Sequence, residues 1–354
     1  MKGLVLSGGL GTRLRPLTYT GAKQLVPIAN KPVLFYALED LVEAGVTDIG
    51  IVVGDTQAQI RDAVGDGSQF GARVTYLPQD APRGIAHGIL IAREFLGDDP
   101  FVLFLGDNFL REGIVPFVEA FRRGGANAQI LLYRVRTPQD FGVAELRDGE
   151  VVRVVEKPKD PPSDLAVIGI YMFDRHVHQI VEELRPSGRG ELEITDTIQG
   201  LIDQGKRVVP QIVSGWWIDT GKKDDMLEAN RLILETLDRD VAGTVDGDSQ
   251  VHGKVVVAAT ASVHNSVIRG PAIIGPGTRL RDAYIGPFTS IDHDCVVEAC
   301  EIEHSIVLES SRLVDVPGRI EDSLIGRNVE IVRSPHKPKA YKLMLGDFSR
   351  VEVL

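Results

Sequence analysis

Gly3-Leu4-Val5-Leu6-Ser7-Gly8-Gly9-Leu10-Gly11-Thr12-Arg13-Leu14-Arg15-Pro16-Leu17-Thr18-Tyr19-Thr20-Gly21-Ala22-Lys23-Gln24 is the stretch around which the chain is organised. Leu4-Val5-Leu6 is a short apolar run that predicts a buried strand. The glycines at Gly8, Gly9 and Gly11 then let the backbone turn sharply and approach a ligand with no Cβ in the way. Successive main-chain N–H groups in such a turn form a concavity for anions, to which Arg13 adds a planar cationic fork. Lys23 comes ten residues later as a point-like cation. Together these residues call for a polyphosphate. A Walker loop is excluded because Thr12-Arg13, not Lys-Ser/Thr, comes after the last glycine. A dinucleotide fingerprint starting at Gly9 is excluded by Leu14, which stands where glycine or alanine is needed.

The rest of the composition limits what such a loop can serve. At 354 residues the chain is long enough for two domains. Its formal charge of −11 argues against a nucleic-acid or anionic-membrane partner. A polyphosphate must therefore be held by local cations or by metal. The two cysteines, Cys295 and Cys300, have no zinc-motif spacing and read as small buried hydrophobes. With no apolar leader and no membrane-length apolar run, a cytoplasmic location is expected.

Residues 1–238 alternate strand and helix patterns, as a doubly wound α/β domain does. Strands are expected at Ile49–Val53, Arg73–Leu77, Phe101–Leu105, Ala128–Tyr133 and Ala166–Phe173, with an apolar run over Val151–Glu156 and a further stretch, Val208–Val213, ahead of Gly215. Helices are expected over 32–44, 57–64, 84–95, 177–184, 190–203 and 222–237. After Asp238 the helical spacing vanishes. Aliphatic residues recur about every six positions, from Val257, Val263, Ile268 and Ile274 onward to Ile320, Ile325 and Ile331, with turns such as Gly270-Pro271 and Gly286-Pro287 between them. That period predicts a left-handed parallel β-helix over 239–354, of roughly four coils at three marks each. Residues 335–354, including Lys337, Pro338 and Lys339, are expected to cap it.

Gly8-Gly9-x-Gly11-Thr12-Arg13-Leu14-x-Pro16-Leu17-Thr18, followed by Lys23-Gln24-Leu25-x-Pro27 and Lys31-Pro32, resembles the signature of the sugar-1-phosphate nucleotidyltransferases. The Lys-Gln-Leu form is most similar to the thymidylyl-transferring members, and the C-terminal part to the extra domain of their long forms. The resemblance implies a Rossmann-like nucleotidyltransferase domain. It also implies a reaction: a sugar-1-phosphate oxygen attacks the α-phosphorus of a nucleoside triphosphate and pyrophosphate leaves. The expected substrates are dTTP and glucose-1-phosphate, giving dTDP-glucose for deoxysugar synthesis. A phosphate nucleophile is already ionised, so positioning and electrostatics should supply most of the rate.

The same resemblance distributes the roles. Arg13, Lys23 and Lys157 act on phosphate charge. Asp107 and Asp219, each beside a glycine-containing turn after an apolar strand, are the expected Mg²⁺ ligands. Gly8, Gly9, Gly11, Thr12, Gln24 and Asn108 contact the nucleotide, while Gln79 and Gly84 read its base. An amide such as that of Gln79 serves both donor and acceptor edges of a pyrimidine. Glu156 and Lys157 hold the sugar phosphate, helped by backbone at Gly142 and Val167. The block Arg189–Asp196 reads as a helix start with acidic residues favoured by the dipole. Trp216 and Trp217 read as packing, with sugar stacking the alternative.

The sequence departs from the family pattern at His87, where glutamine is common, and at Ser7 and Leu10. Other readings stay open: UTP or another sugar phosphate as substrate, and a sugar-nucleotide sensor without turnover. Acyl transfer by the coil is a third, through His252, His264, His293 or His304. Self-association into a homo-oligomer is expected of the coil domain.

Overall fold

The computed structural model describes residues 1–337 and 340–353. It falls into two compact units. The first is Met1–Leu10, Gly21–Leu25 and Val33–Asp219, and the second is Gly11–Thr20, Val26–Pro32 and everything from Thr220 onward.

The first unit is built on a sheet of nine strands. In chain order they are β1 (Lys2–Ser7), β2 (Asp48–Val53), β3 (Arg73–Pro78), β4 (Phe101–Leu105), β5 (Ala128–Arg134), β6 (Gly142–Arg147), β7 (Glu150–Glu156), β8 (Leu165–Phe173) and β9 (Val208–Ile212). The order β7-β6-β8-β4-β1-β2-β3 puts β1 at the centre of a parallel core. The sheet is mixed, because β8 runs antiparallel to β4, β5 and β6. Val5, Val102 and Phe104 pack on one face, and Leu4, Phe101 and Leu103 on the other. Burial on both faces is why these strands read as unbroken apolar runs rather than alternating ones.

Two expected helices differ in the structure. The run 84–95 forms two helices, Ile85–Ile91 and Arg93–Leu96, which part at Ala92, whose N–H is shared between the Gly88 and Leu90 carbonyls. In 190–203 the helix begins only at Ile194. Leu192 gives its N–H to the Arg83 carbonyl and accepts from the Ala86 amide, which ties this residue to the backbone of 83–86 ahead of the helix. The helix Val115–Gly124, whose Phe117, Val118 and Phe121 bury one face, and strand β6 are elements beyond those expected.

The second unit contains three stacked parallel sheets of six, six and five strands, the arrangement of a left-handed parallel β-helix. One ladder runs Val241, Val257, Ile274, Ile291, Val307, Ile325 in strict register. Among the described residues, five complete coils and two strands of a sixth therefore replace the roughly four expected. The first coil starts at Asp240, ahead of the first mark counted, with Val241, Val245 and Val251 less buried than the marks from Val257 to Leu313. Ile331, read as a core mark, lies on the last described strand and stays exposed. Cys295 and Cys300 are buried free thiols, and burial pushes Cys295 up to about 11.

The boundary expected after residue 238 marks where the coil strands begin, but the compact units divide at Asp219/Thr220. The cause is the helix Lys223–Thr236. Its fully buried Asn230 accepts from the Ala29 amide and donates to the Phe288 carbonyl, and Lys223 donates to the Asp322 carbonyl. Of the expected cap, Pro338, Lys339 and Leu354 lie outside the described residues. Residues 340–353 form no regular element, and Tyr341, Leu343 and Met344 are exposed.

Candidate active site

In the first unit, Ser7, Val53 and Pro78 stand level on adjacent parallel strands, and Leu6 stands level with Leu105. The turns leaving these strands, at Gly8-Gly9, Gly54, Gln79 and Gly106-Asp107, therefore emerge together at one edge. That carboxyl edge is where open α/β sheets bind ligands. The approach is close enough that a Cβ on Gly54 would stand 3.1 Å from the Gly8 carbonyl oxygen, and one on Gly8 2.6 Å from Gln79 Oε1. Gln24 lies beside Gly9, and its buried Oε1 has no hydrogen-bond partner among the described residues; nor has Ser7 Oγ. An unmet buried acceptor costs about 1–3 kcal/mol, which a ligand donor would relieve.

Lys23 is 8% exposed and its ammonium is shared by two carboxylates. It pairs with Asp107 Oδ2 and stands 3.7 Å from Asp219 Oδ1. The two aspartates converge because Asn108–Leu110 and Trp217–Asp219 form a small antiparallel ribbon that sets Asp219 opposite Asn108. Burial alone would push the Asp107 carboxyl up. The Lys23 ammonium and hydrogen bonds from Lys23 and Asn108 outweigh it and hold the carboxyl below the usual range. Asn108 is 3% exposed, and its side chain is engaged within the protein. Its Nδ2 donates to Asp107 at 2.9 Å, while its Oδ1 accepts from Trp217 Nε1 at 2.7 Å and from the Gly169 amide at 3.3 Å. Trp217 thus does more than pack: it orients the amide that orients Asp107. Its ring lies against Tyr133 and Phe141.

A second group lies on the β6–β7 hairpin beside β8. Gly142 pairs with Glu156, Lys157 donates its amide to the Phe141 carbonyl, and Val143 pairs with Ala166, next to Val167. Lys157 has φ +39, a left-handed conformation that non-glycine residues adopt at a cost and that clusters at functional sites. Its ammonium is 3.8 Å from Glu156 Oε1. Glu156 also accepts from Arg189 at 2.9 Å and from Thr195 Oγ1 at 3.2 Å. Arg189 pairs further with Glu191 at 3.0 Å. The block read as a helix start therefore supplies a guanidinium to this group, and its motif position was the only signal for it. Gly142 is required here, since a Cβ would stand 2.5 Å from Thr195 Cγ2.

Gly84, expected to read the base, lies against Leu192. It has φ +101, and a Cβ there would strike the Leu192 carbonyl oxygen and come within 2.7 Å of its amide nitrogen. Both atoms belong to the backbone pairing of Leu192 with Arg83 and Ala86. Gly84→Ala should therefore lower stability by about 2–4 kcal/mol, read as a shifted denaturant midpoint. An unchanged midpoint would show that Leu192 yields easily.

The glycine-rich loop continues into the second unit. Gly11 is left-handed (φ 60), and its carbonyl accepts from the Leu14 amide at 2.9 Å and from Thr18 Oγ1 at 2.7 Å. That bracing starts a short 3-10 turn, Thr12–Leu14, which presents the exposed Thr12 and Arg13. The Arg13 guanidinium lies over Gly221, where a Cβ would stand 2.6 Å from one terminal nitrogen. Gly221→Ala should displace that fork and cut kcat by about 10²-fold with little change in melting temperature. A wild-type kcat in this variant would dissociate Arg13 placement from turnover.

The chain matches the nucleotidyl transferase family over residues 2–236 and belongs to it. A glucose-1-phosphate thymidylyltransferase of Streptomyces griseus is 53% identical over 354 residues, covering 100% of this chain and 99% of that one. The Haloferax volcanii low-salt glycan biosynthesis nucleotidyltransferase Agl11 is 46% identical over the full length of both. Among solved structures, UDP-glucose pyrophosphorylase with UDP-glucose superposes with TM-score 0.60 at 26% identity, over 66% of this chain and 98% of that one. A Bacillus anthracis protein described as a glucose-1-phosphate thymidylyltransferase, solved with sucrose, gives TM-score 0.62 at 39% identity, over 66% and 94%. Full-length kinship sets the chain among the long glucose-1-phosphate thymidylyltransferases.

Proposed function

We propose that the chain transfers the deoxythymidylyl group of dTTP to glucose-1-phosphate, forming dTDP-glucose and pyrophosphate. The observation that carries this is end-to-end identity of 53% with relatives of that name, coil domain included. A sugar-phosphate oxygen forms the new bond to the α-phosphorus as the bond to the pyrophosphate bridging oxygen breaks. No proton need move, so the protein's task is to hold two anions together and meet the charge that develops. The amides of the Gly8-Gly9 turn and Gln24 take the nucleotide, and Gln79 takes its base. Lys157, beside Glu156 and Arg189, takes the sugar phosphate. Arg13 supplies the fork to the α-phosphate.

The donor set of Asp107 and Asp219 suits Mg²⁺: two carboxylates already converge on one cationic point, with oxygen ligands only. These two residues would hold the ion, which when bound neutralises phosphate charge. Lys23 ties both carboxylates together and spreads its charge over the same place. The same reading has small-molecule partners only, in a homo-oligomer. No described helix is long and apolar enough to cross a membrane.

The test is pyrophosphate release with glucose-1-phosphate, Mg²⁺ and each nucleoside triphosphate in turn. Preference for dTTP, abolished by EDTA, is the expected result. Release with UTP alone would move the base preference while keeping the chemistry, and release with no pair would favour a sensor.

A further inference from the structure

Gln79 comes directly after β3 and is anchored there by its amide, which donates to the Val53 carbonyl at 2.8 Å. Its side-chain nitrogen is doubly engaged: it donates to the Ala81 carbonyl at 2.6 Å and meets Nδ1 of His87 at 3.3 Å. Its oxygen points the other way, against Gly8. The Ala81 carbonyl only accepts, so the nitrogen end of the amide must face it. The second N–H then needs an acceptor, and a neutral imidazole with its proton on Nε2 provides one. His87 is buried on the helix Ile85–Ile91.

We infer that His87 is a positioning residue that locks Gln79 with its acceptor oxygen toward the bound base, so that the site selects pyrimidines carrying an N3–H. Thymine and uracil offer that proton; cytosine presents a lone pair at N3, which an oxygen repels. With the Ala81 bond alone the amide is held by one N–H instead of two, and rotation to serve cytosine costs correspondingly less. The inference rests on the reading of Gln79 as the base contact and adds to it what fixes the direction of the amide.

The surroundings keep the imidazole neutral. Burial and the positive charge of Arg83 lower its pKa, against a smaller opposing pull from Asp80 and the Ala81 carbonyl. Arg83 and Asp80 pair with each other, and they are the charged groups that face the ring. Protonation at Nδ1 would set one N–H against another and turn the amide round.

The experiment is steady-state kinetics with dTTP and with dCTP, at saturating glucose-1-phosphate, from about pH 5.5 to pH 8. Wild type is compared with His87→Leu, His87→Gln and Gln79→Ala. His87→Leu should raise KM for dTTP roughly tenfold with kcat nearly kept, and narrow the dTTP/dCTP ratio of kcat/KM. His87→Gln, whose oxygen can accept the same N–H, should restore most of the preference. The wild-type KM for dTTP should rise as pH falls through the imidazole pKa, below its ordinary 6.5, and His87→Gln should lack that extra rise. If Gln79→Ala raises KM while His87→Leu leaves KM and the ratio alone, the inference fails and the base contact stands. If Gln79→Ala changes nothing, both fail. Should His87→Leu not fold, the pH comparison of wild type with His87→Gln decides alone.

Discussion

Arg13→Ala is expected to lower kcat by about 10³-fold while the protein unfolds at the same denaturant concentration as wild type. The two halves of that result have separate causes. Arg13 is exposed on a three-residue turn, and the bracing of that turn runs through the Gly11 carbonyl, Leu14 and Thr18, none of which needs the guanidinium. Its removal should therefore cost the fold within about 0.5 kcal/mol. Catalysis is another matter, because the proposed reaction needs no general base or covalent nucleophile and rests on meeting charge at phosphorus. Arg13→Lys should recover only part of the rate, since an ammonium cannot present two parallel N–H groups. A variant with wild-type kcat would remove Arg13 from the reaction.

Lys23→Met should fail in both respects. The ammonium is buried beside Asp107 and Asp219, so its loss removes the cation that the two carboxylates share. Breaking a buried pair in this way costs about 3 kcal/mol or more. Activity should fall below detection. The effect also has a definite sign with pH. In wild type Lys23 keeps the Asp107 carboxyl below its ordinary range, so that contribution to stability is present near neutrality and is lost as pH falls through the lowered value. Without Lys23, burial raises the carboxyl instead, and acidification should recover stability. The midpoint difference between Lys23→Met and wild type should therefore shrink from pH 7 toward about pH 4. A constant difference would show that the lost stability is packing rather than charge.

The features of fold and site that were legible in the sequence have local causes. β1 and its glycine-rich exit could be read because Leu4 and Val5 are buried on opposite faces and the glycines stand where the backbone turns at the sheet edge. The coil was legible because each strand places one aliphatic residue inward, and the ladder from Val257 to Ile325 keeps that beat. Its first coil escaped because Val241, Val245 and Val251 have no earlier coil to complete their burial. The features that stayed hidden are non-local. Asp107 and Asp219 meet through a three-residue ribbon whose register no spacing reveals. Arg189 reaches Glu156 from a turn closed by the Gly190 amide on the Ser187 carbonyl and the Ser187 amide on the Glu191 carbonyl. Asn108 was read as a nucleotide contact, and the structure spends its side chain on Asp107, Gly169 and Trp217. His87 was visible as a departure, but its place beside the Gln79 amide was not.

The central claim is that the α-phosphorus of dTTP is passed to glucose-1-phosphate by this chain. The direct measurement tracks the label when dTTP carrying a labelled α-phosphorus is incubated with glucose-1-phosphate, Mg²⁺ and purified protein, with products separated and weighed by mass spectrometry. The label is expected to leave dTTP only with glucose-1-phosphate present and to appear in dTDP-glucose, matched by an equal amount of unlabelled pyrophosphate. Label retained in dTTP, or recovered as dTMP without a sugar nucleotide, would contradict it.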